Sequence, residues 1–148
     1  MYKHMLIATD GSPLAQRAVA HGLAIAKAFA ADVTVMTATQ VWSAVEMARY
    51  AEGGAPRPEE DYKAMSARTA HTILTTCAEE ARKASVTCST LHVKDTEPDE
   101  AILESAKAGK CDLIVMASHS RGPIGRLLLG SVAVKVLTYA KISVHVVR

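Results

Sequence analysis

Five short runs of apolar and β-branched residues punctuate the chain: "HMLIAT" (4–9), "DVTVMTA" (32–38), "VTCSTLHV" (86–93), "DLIVMA" (112–117) and "ISVHVV" (142–147). Each is six to eight residues long and reads as a strand. Helical spacing fills the gaps between them. After Ser12-Pro13, an N-cap with a first-turn proline, the apolar residues Leu14, Ala18, Leu23, Ile25, Ala26 and Phe29 recur at three- and four-residue steps. Residues 59–84 read as a long, more polar helix rich in Ala, Glu, Lys and Arg. A helix over 98–108 opens with Pro98 and two acids and stops at Gly109, in keeping with helix dipole and capping rules. The last helix is expected from about Ser131 to Ala140.

The order is therefore β-α-β-α-β-α-β-α-β. The first and fourth runs are apolar at consecutive positions, as strands covered on both faces require. With right-handed crossovers, this pattern predicts a doubly wound open α/β sandwich: a five-stranded parallel sheet with helices on both faces. Residues 40–58, "QVWSAVEMARYAEGGAPRP", break the alternation. Gly53-Gly54 and two prolines make them a long irregular excursion with room for one helical turn, and loops of that length are often functional.

Length and composition narrow this picture. At 148 residues, the chain is expected to form a single domain, 1–148, around one sizeable core. Apolar residues at 49% and charged residues at 22% exclude a disordered or membrane-spanning chain. A net charge of +2 without any basic block, and only one Trp and one Phe for stacking, argue against a nucleic-acid partner. The apolar run before Asp10 is too short for a signal-peptide core or a membrane span, so no membrane association is expected. Three cysteines (Cys77, Cys88, Cys111) without CxxC spacing suggest a reduced, cytoplasmic setting in which they serve as small buried side chains. The six histidines form no HExxH motif and no cluster with cysteine, so no metal site is expected.

Open α/β sheets bind ligands beyond the C-terminal ends of their strands, where the strand order reverses. In either common doubly wound order the first strand is central and borders that point. It ends at Ala8-Thr9-Asp10-Gly11-Ser12. Asp10 there either accepts hydrogen bonds from a ribose or holds a magnesium ion, or else caps the following helix. The fourth strand ends at Met116-Ala117-Ser118-His119-Ser120, with Arg121 and Arg126 beyond, and Gly130-Ser131 opens the last helix. A helix start attracts phosphate through its N–H groups and dipole. Gly130 permits close backbone approach, the Ser131 hydroxyl can donate, and the two arginines can add charge. The plainer alternative is a tight turn at Gly130 with Ser131 as N-cap.

Several other chemistries fail on spelling. GxGxxG is absent after the first strand, and "GPIGRLLLGS" lacks the GK[ST] ending of a P-loop. Asp10 has no acidic neighbour, and Asp95 lies beyond the third strand, so a phosphoacceptor receiver is excluded. Ser118 and Ser120 flank His119, but sequence neighbours at a strand end point apart and form no nucleophile–base pair.

Taken together, these residues resemble the universal stress protein family over nearly the whole chain. The likeness rests on Asp10-Gly11-Ser12 after the first strand, Thr96-Glu97-Pro98 with Ile102 before the third main helix, Ala117-Ser118-His119-Ser120 for a GTHG-like turn, "LLLGSVA" (127–133) and the final "KISVHVVR". The resemblance implies a Rossmann-like sheet of the adenine nucleotide alpha-hydrolase kind and usually a homodimer, often joined through the last strand, here 142–147. One branch of the family binds ATP through G-x2-G-x9-G-[ST]. This chain keeps Gly130-Ser131 but carries Ala117 and Ser120 at the two earlier glycines. If those glycines serve a left-handed backbone, each replacement costs on the order of 1 kcal/mol, a loss of affinity rather than its abolition. By resemblance, nucleotide contacts fall on Ala8, Thr9, Asp10, Ala38 and Met116, on Ala117 to Arg121, and on Gly130, Ser131 and Val132. The expected ligand is ATP or a related adenine nucleotide, alone or with Mg2+ through Asp10. Two alternatives stand beside it: a non-nucleotide member acting through the dimer and the 40–58 excursion, and an adenine-nucleotide hydrolase.

Overall fold

The five apolar runs form one parallel sheet in the computed structural model, which describes residues 1–54, 56–119 and 129–148. In chain order the elements are β1 (His4–Ala8), α1 (Pro13–Phe29), β2 (Asp32–Ala38), α2 (Ala44–Glu52), α3 (Pro58–Ala84), β3 (Cys88–Val93), α4 (Pro98–Ala108), β4 (Leu113–Ala117), α5 (Ser131–Tyr139) and β5 (Ser143–Val147). The sheet order is β3-β2-β1-β4-β5, and every pairing is parallel. The chain winds outward from β1 through β2 to β3, then crosses to β4 and β5 on the other side. The order therefore reverses between β1 and β4, where a doubly wound sheet opens its ligand crevice.

The period-2 pattern separates two apolar layers. Met5, Ile7, Val33, Val35, Leu113 and Val115 face one side, together with Ala18, Val19, Leu23, Leu74 and Cys77 from α1 and α3. Leu6, Ala8, Met36, Ile114 and Met116 face the other, against Ala101, Ile102, Ala133 and Val136 from α4 and α5. The middle of β1 is fully buried because it is the central strand of a sheet covered on both sides. At β5, Val144 and Val146, with Ile142 just before the strand, lean on the second layer and Val147 on the first, in the alternation of the 142–147 run.

The helix signals hold at most ends. Ser12 caps α1 through its side chain, with Pro13 in the first turn. α4 begins at Pro98, with Asp99 and Glu100 in its first turn, and has Gly109 at its C-cap. The 40–58 excursion is the correction. Instead of irregular chain, it holds the nine-residue α2, opened by a capping box in which Ser43 and Glu46 bond each other's backbone N–H. The Ser-x-x-Glu spelling was legible; of the breakers that follow it, Gly53 marks the end of α2 and Pro58 opens α3. α2 buries none of its residues and packs on α3, and Trp42, Tyr50 and Tyr62 meet there with ring centroids 4.5–6.1 Å apart. The buried residues of α3 begin only at Ala70, so its first three turns belong to this hairpin rather than to the sheet.

Candidate functional site

β1 stops at Ala8, and the chain must turn sharply to start α1. Thr9 is still held to the sheet, its N–H donating to the Met36 carbonyl at 2.9 Å. Gly11 takes φ +78°, a left-handed conformation that glycine tolerates best, and Ile73 of α3 closes over the space a side chain would fill. The Gly11 N–H donates to Thr9 Oγ1 (3.1 Å) and the Ser12 N–H to Asp10 Oδ1 (2.9 Å). Ser12 then caps α1 by accepting the Ala15 N–H at 3.2 Å. The cap reading of Asp10 is thus corrected: Ser12 takes that role, because the turn brings its Oγ to the third amide beyond. The second Asp10 oxygen, Oδ2, is left outside this turn.

That oxygen meets the end of β4. His119 Nε2 lies 3.4 Å from Asp10 Oδ2 and 3.0 Å from Ser12 Oγ. Partial burial pushes the Asp10 carboxyl up, but the hydrogen bonds from the Ser12 side chain and backbone, with His119 beside it, outweigh that and hold it below its ordinary 3.8. The carboxylate is therefore ionised at neutral pH, and its side chain is 62% exposed. The Ser12–His119 pairing, 107 residues apart in sequence, was not legible in any local pattern. It still lacks relay geometry: both Ser12 and Asp10 address the same nitrogen, whereas a base oriented by a carboxylate uses its two nitrogens separately.

The other wall comes from β4 and α5. Ala117 is the last residue of β4, paired with Val147, and is not among the residues with positive φ. The left-handed cost conditionally expected at this replaced glycine does not arise, because alanine suits a strand end. Ser118 is buried; its N–H donates to the Val147 carbonyl, and its Oγ accepts the Gly130 N–H at 2.9 Å. Gly130 is the N-cap of α5, with ordinary φ −64° and ψ 154°. The plainer reading of this pair is corrected at Ser131: it is the first helical residue, and Gly130, in an extended conformation, takes the cap position. Gly130 must be glycine because a Cβ there would run into the His119 carbonyl. Among the described residues, no side chain of α5's own start caps its first turn.

Between these walls lies a cavity of about 620 Å³. Eleven of the residues expected from sequence line it: Ala8, Thr9, Asp10, Ala38, Met116, Ala117, Ser118, His119, Gly130, Ser131 and Val132. Ser120 and Arg121, with Arg126, lie outside the described residues. Sequence reasoning missed Ala15, Met36, Pro98, Ile102, Leu129 and Ala133 as lining residues. Pro98 and Ile102 had a signal, since they belong to the motif that opens α4; the others reach the cavity only through packing. The cavity has two ends. Ala8, Met36, Ala38, Ile102 and Met116 make an apolar slot between strand ends and α4, and Gly130 to Ala133 present the start of α5. Asp10 and His119 lie at its polar margin. Its size and few convergent polar groups are those of a small-molecule site. Among the described residues, no three side chains cluster to hold a metal ion, and no helix is long and apolar enough to cross a membrane.

Comparison with known proteins agrees with this architecture. The model of the universal stress protein family matches residues 1–148. The chain is 34% identical to a universal stress protein of Thermus aquaticus, over the whole of both chains. It is 32% identical to one of Methanocaldococcus jannaschii, over all of this chain and 83% of the relative. Among solved structures, a universal stress protein in complex with cAMP superposes with a TM-score of 0.70 at 28% identity, over 99% of this chain and 97% of that one. With the sheet order, the cavity and these matches in agreement, the chain belongs to the universal stress protein family.

Proposed function

We propose that the cavity binds an adenine nucleotide and that the protein acts in stress response as a binder rather than a hydrolase. The observation that carries this reading is one cavity of about 620 Å³ that joins an apolar slot to the N-terminus of α5, which favours an anion. The relative bound to cAMP supports the ligand class. Asp10 suits ribose hydroxyls, which donate to an ionised carboxylate. It suits Mg2+ only as one oxygen ligand, with water and phosphates supplying the rest. Hydrolysis is disfavoured by the shared Nε2 contact and by the Ser12 hydroxyl, which is engaged as the cap of α1. The site residues are those named above that line the cavity, with Ser120 and Arg121 proposed from resemblance alone.

The test is native mass spectrometry of fresh protein, then calorimetric titration with ATP, AMP and cAMP, with and without Mg2+. One nucleotide per subunit, and weakened binding in Asp10→Ala, is the expected result. A chain that ignores all three ligands at millimolar concentration sinks the reading. We further propose a single domain over 1–148, working in the cytoplasm as a homodimer through 142–147. β5 is a sheet edge, and the neighbouring α5 exposes Val134, Leu137 and Tyr139. Light scattering at micromolar concentration checks this, and a monomer refutes it. A second reading, a protein-interaction module without nucleotide, is favoured by one observation: the α2–α3 hairpin exposes Val45, Met47 and Met65. It requires partner capture to disappear when residues 44–56 are deleted.

A further inference from the structure

The apolar slot is lined from β1, β2, β4 and α4, whereas the other end of the cavity is the start of α5 itself. A helix start leaves its first N–H groups without partners in the helix. In α5 the donor at the N-cap, Gly130, does not turn to a neighbouring side chain but reaches back twelve residues to Ser118 Oγ, at 2.9 Å. Ser118 is a firm anchor. It is only 7% exposed, follows β4 directly, and is tied by its own N–H to the Val147 carbonyl of β5 at 2.9 Å. On the opposite side, Gly130 presses against the His119 carbonyl closely enough to exclude a Cβ. One hydrogen bond to a buried hydroxyl and one backbone contact thus dock the start of α5 on the sheet. The turn that follows, Ser131 to Ala133, forms the cavity wall.

Resting on the nucleotide reading above, we propose that Ser118 is a positioning residue for phosphate: by clasping Gly130 it aims the first turn of α5 into the cavity, and so sets how strongly the site prefers a nucleotide over its nucleoside. The clasp explains how the site tolerates Ala117, since that residue lies in the strand and the hydroxyl that holds the helix is the next one along. A serine that merely touched the ligand would behave differently. Its removal would weaken binding without loosening α5 in the empty protein.

The test uses the full chain with Ser118→Ala and Ser118→Thr. Hydrogen exchange on ligand-free protein reads the clasp; calorimetry with AMP and with adenosine reads its consequence. In Ser118→Ala, the Gly130 amide, which donates to Ser118, and the Val134 amide, which donates to the Gly130 carbonyl, should exchange roughly tenfold faster, and the ratio of AMP to adenosine affinity should fall by roughly tenfold. Ser118→Thr, which keeps the hydroxyl, restores both. Unchanged exchange in ligand-free Ser118→Ala overturns the clasp. Equal loss of AMP and adenosine affinity, or no loss of either, overturns the role in phosphate selectivity. Failure of the wild type to bind either ligand overturns the nucleotide reading and this role with it, and the exchange data then still decide the clasp.

Discussion

Gly130→Ala isolates a contact that no inspection of backbone angles reveals. At φ −64° and ψ 154° the position suits any residue, so the substitution carries no conformational strain. The added methyl group would instead meet the His119 carbonyl, which is backbone and cannot swing aside like a side-chain tip. Overpacking of this kind costs about 1–3 kcal/mol, and the stiffer unfolded chain returns about 0.4–1 kcal/mol. The net loss spans about 0–2.6 kcal/mol, and its middle value of about 1.3 kcal/mol lowers Tm by about 3–5 °C in a domain of this size. Differential scanning calorimetry reads the shift, and titration with AMP should show weaker binding in the same variant, because α5 must back away from β4. Gly11→Ala is the instructive partner. There the cost is about 1–2 kcal/mol from φ +78°, while Ile73, 2.8 Å from the added carbon, is a flexible neighbour. A Gly130→Ala protein with a Tm at or above that of the wild type would refute the contact and the wall built on it.

Other outcomes follow from single groups. Because the folded Asp10 carboxyl lies below 3.8, its contribution to stability is complete above that pH and is lost as pH falls through the lower folded value; acid unfolding of Asp10→Asn should converge with the wild type only in that range. Burial raises all three thiols, Cys77 up to about 11, but Cys77 and Cys111 are buried whereas Cys88 is half-exposed, so at pH 8 a thiol reagent should modify Cys88 first and the other two only on unfolding. Early labelling of Cys77, followed by mass spectrometry of peptides, would contradict the packing of α3. Ser43→Ala removes the capping box and costs α2 about 1 kcal/mol. Since α2 buries nothing, Tm should hardly move, while trypsin cleavage at Arg49 should accelerate.

Continuous apolar runs determined the central strands because a sheet covered on both faces needs apolar residues at successive positions, and that demand is visible along a single stretch of chain. Caps were readable for the same reason: Ser12-Pro13 and Ser43-x-x-Glu46 act within one turn, although the glycines near the second masked its helix. Most of the cavity was legible too, since the lining residues at 8–10, 116–119 and 130–132 sit at strand ends and a helix start whose chemistry is local. What the sequence left undetermined are relations between segments that only the folded sheet brings together. The Ser12–His119 contact spans the β1–β4 neighbourhood, Met36 and Ile102 enter the slot from two further elements, and Ser118 holds a glycine twelve residues away. Gly130 shows the division most plainly. Sequence marks it as a helix start beside a phosphate-type loop, but the reason it must be glycine is the carbonyl of another strand's end, a distance that only tertiary packing sets.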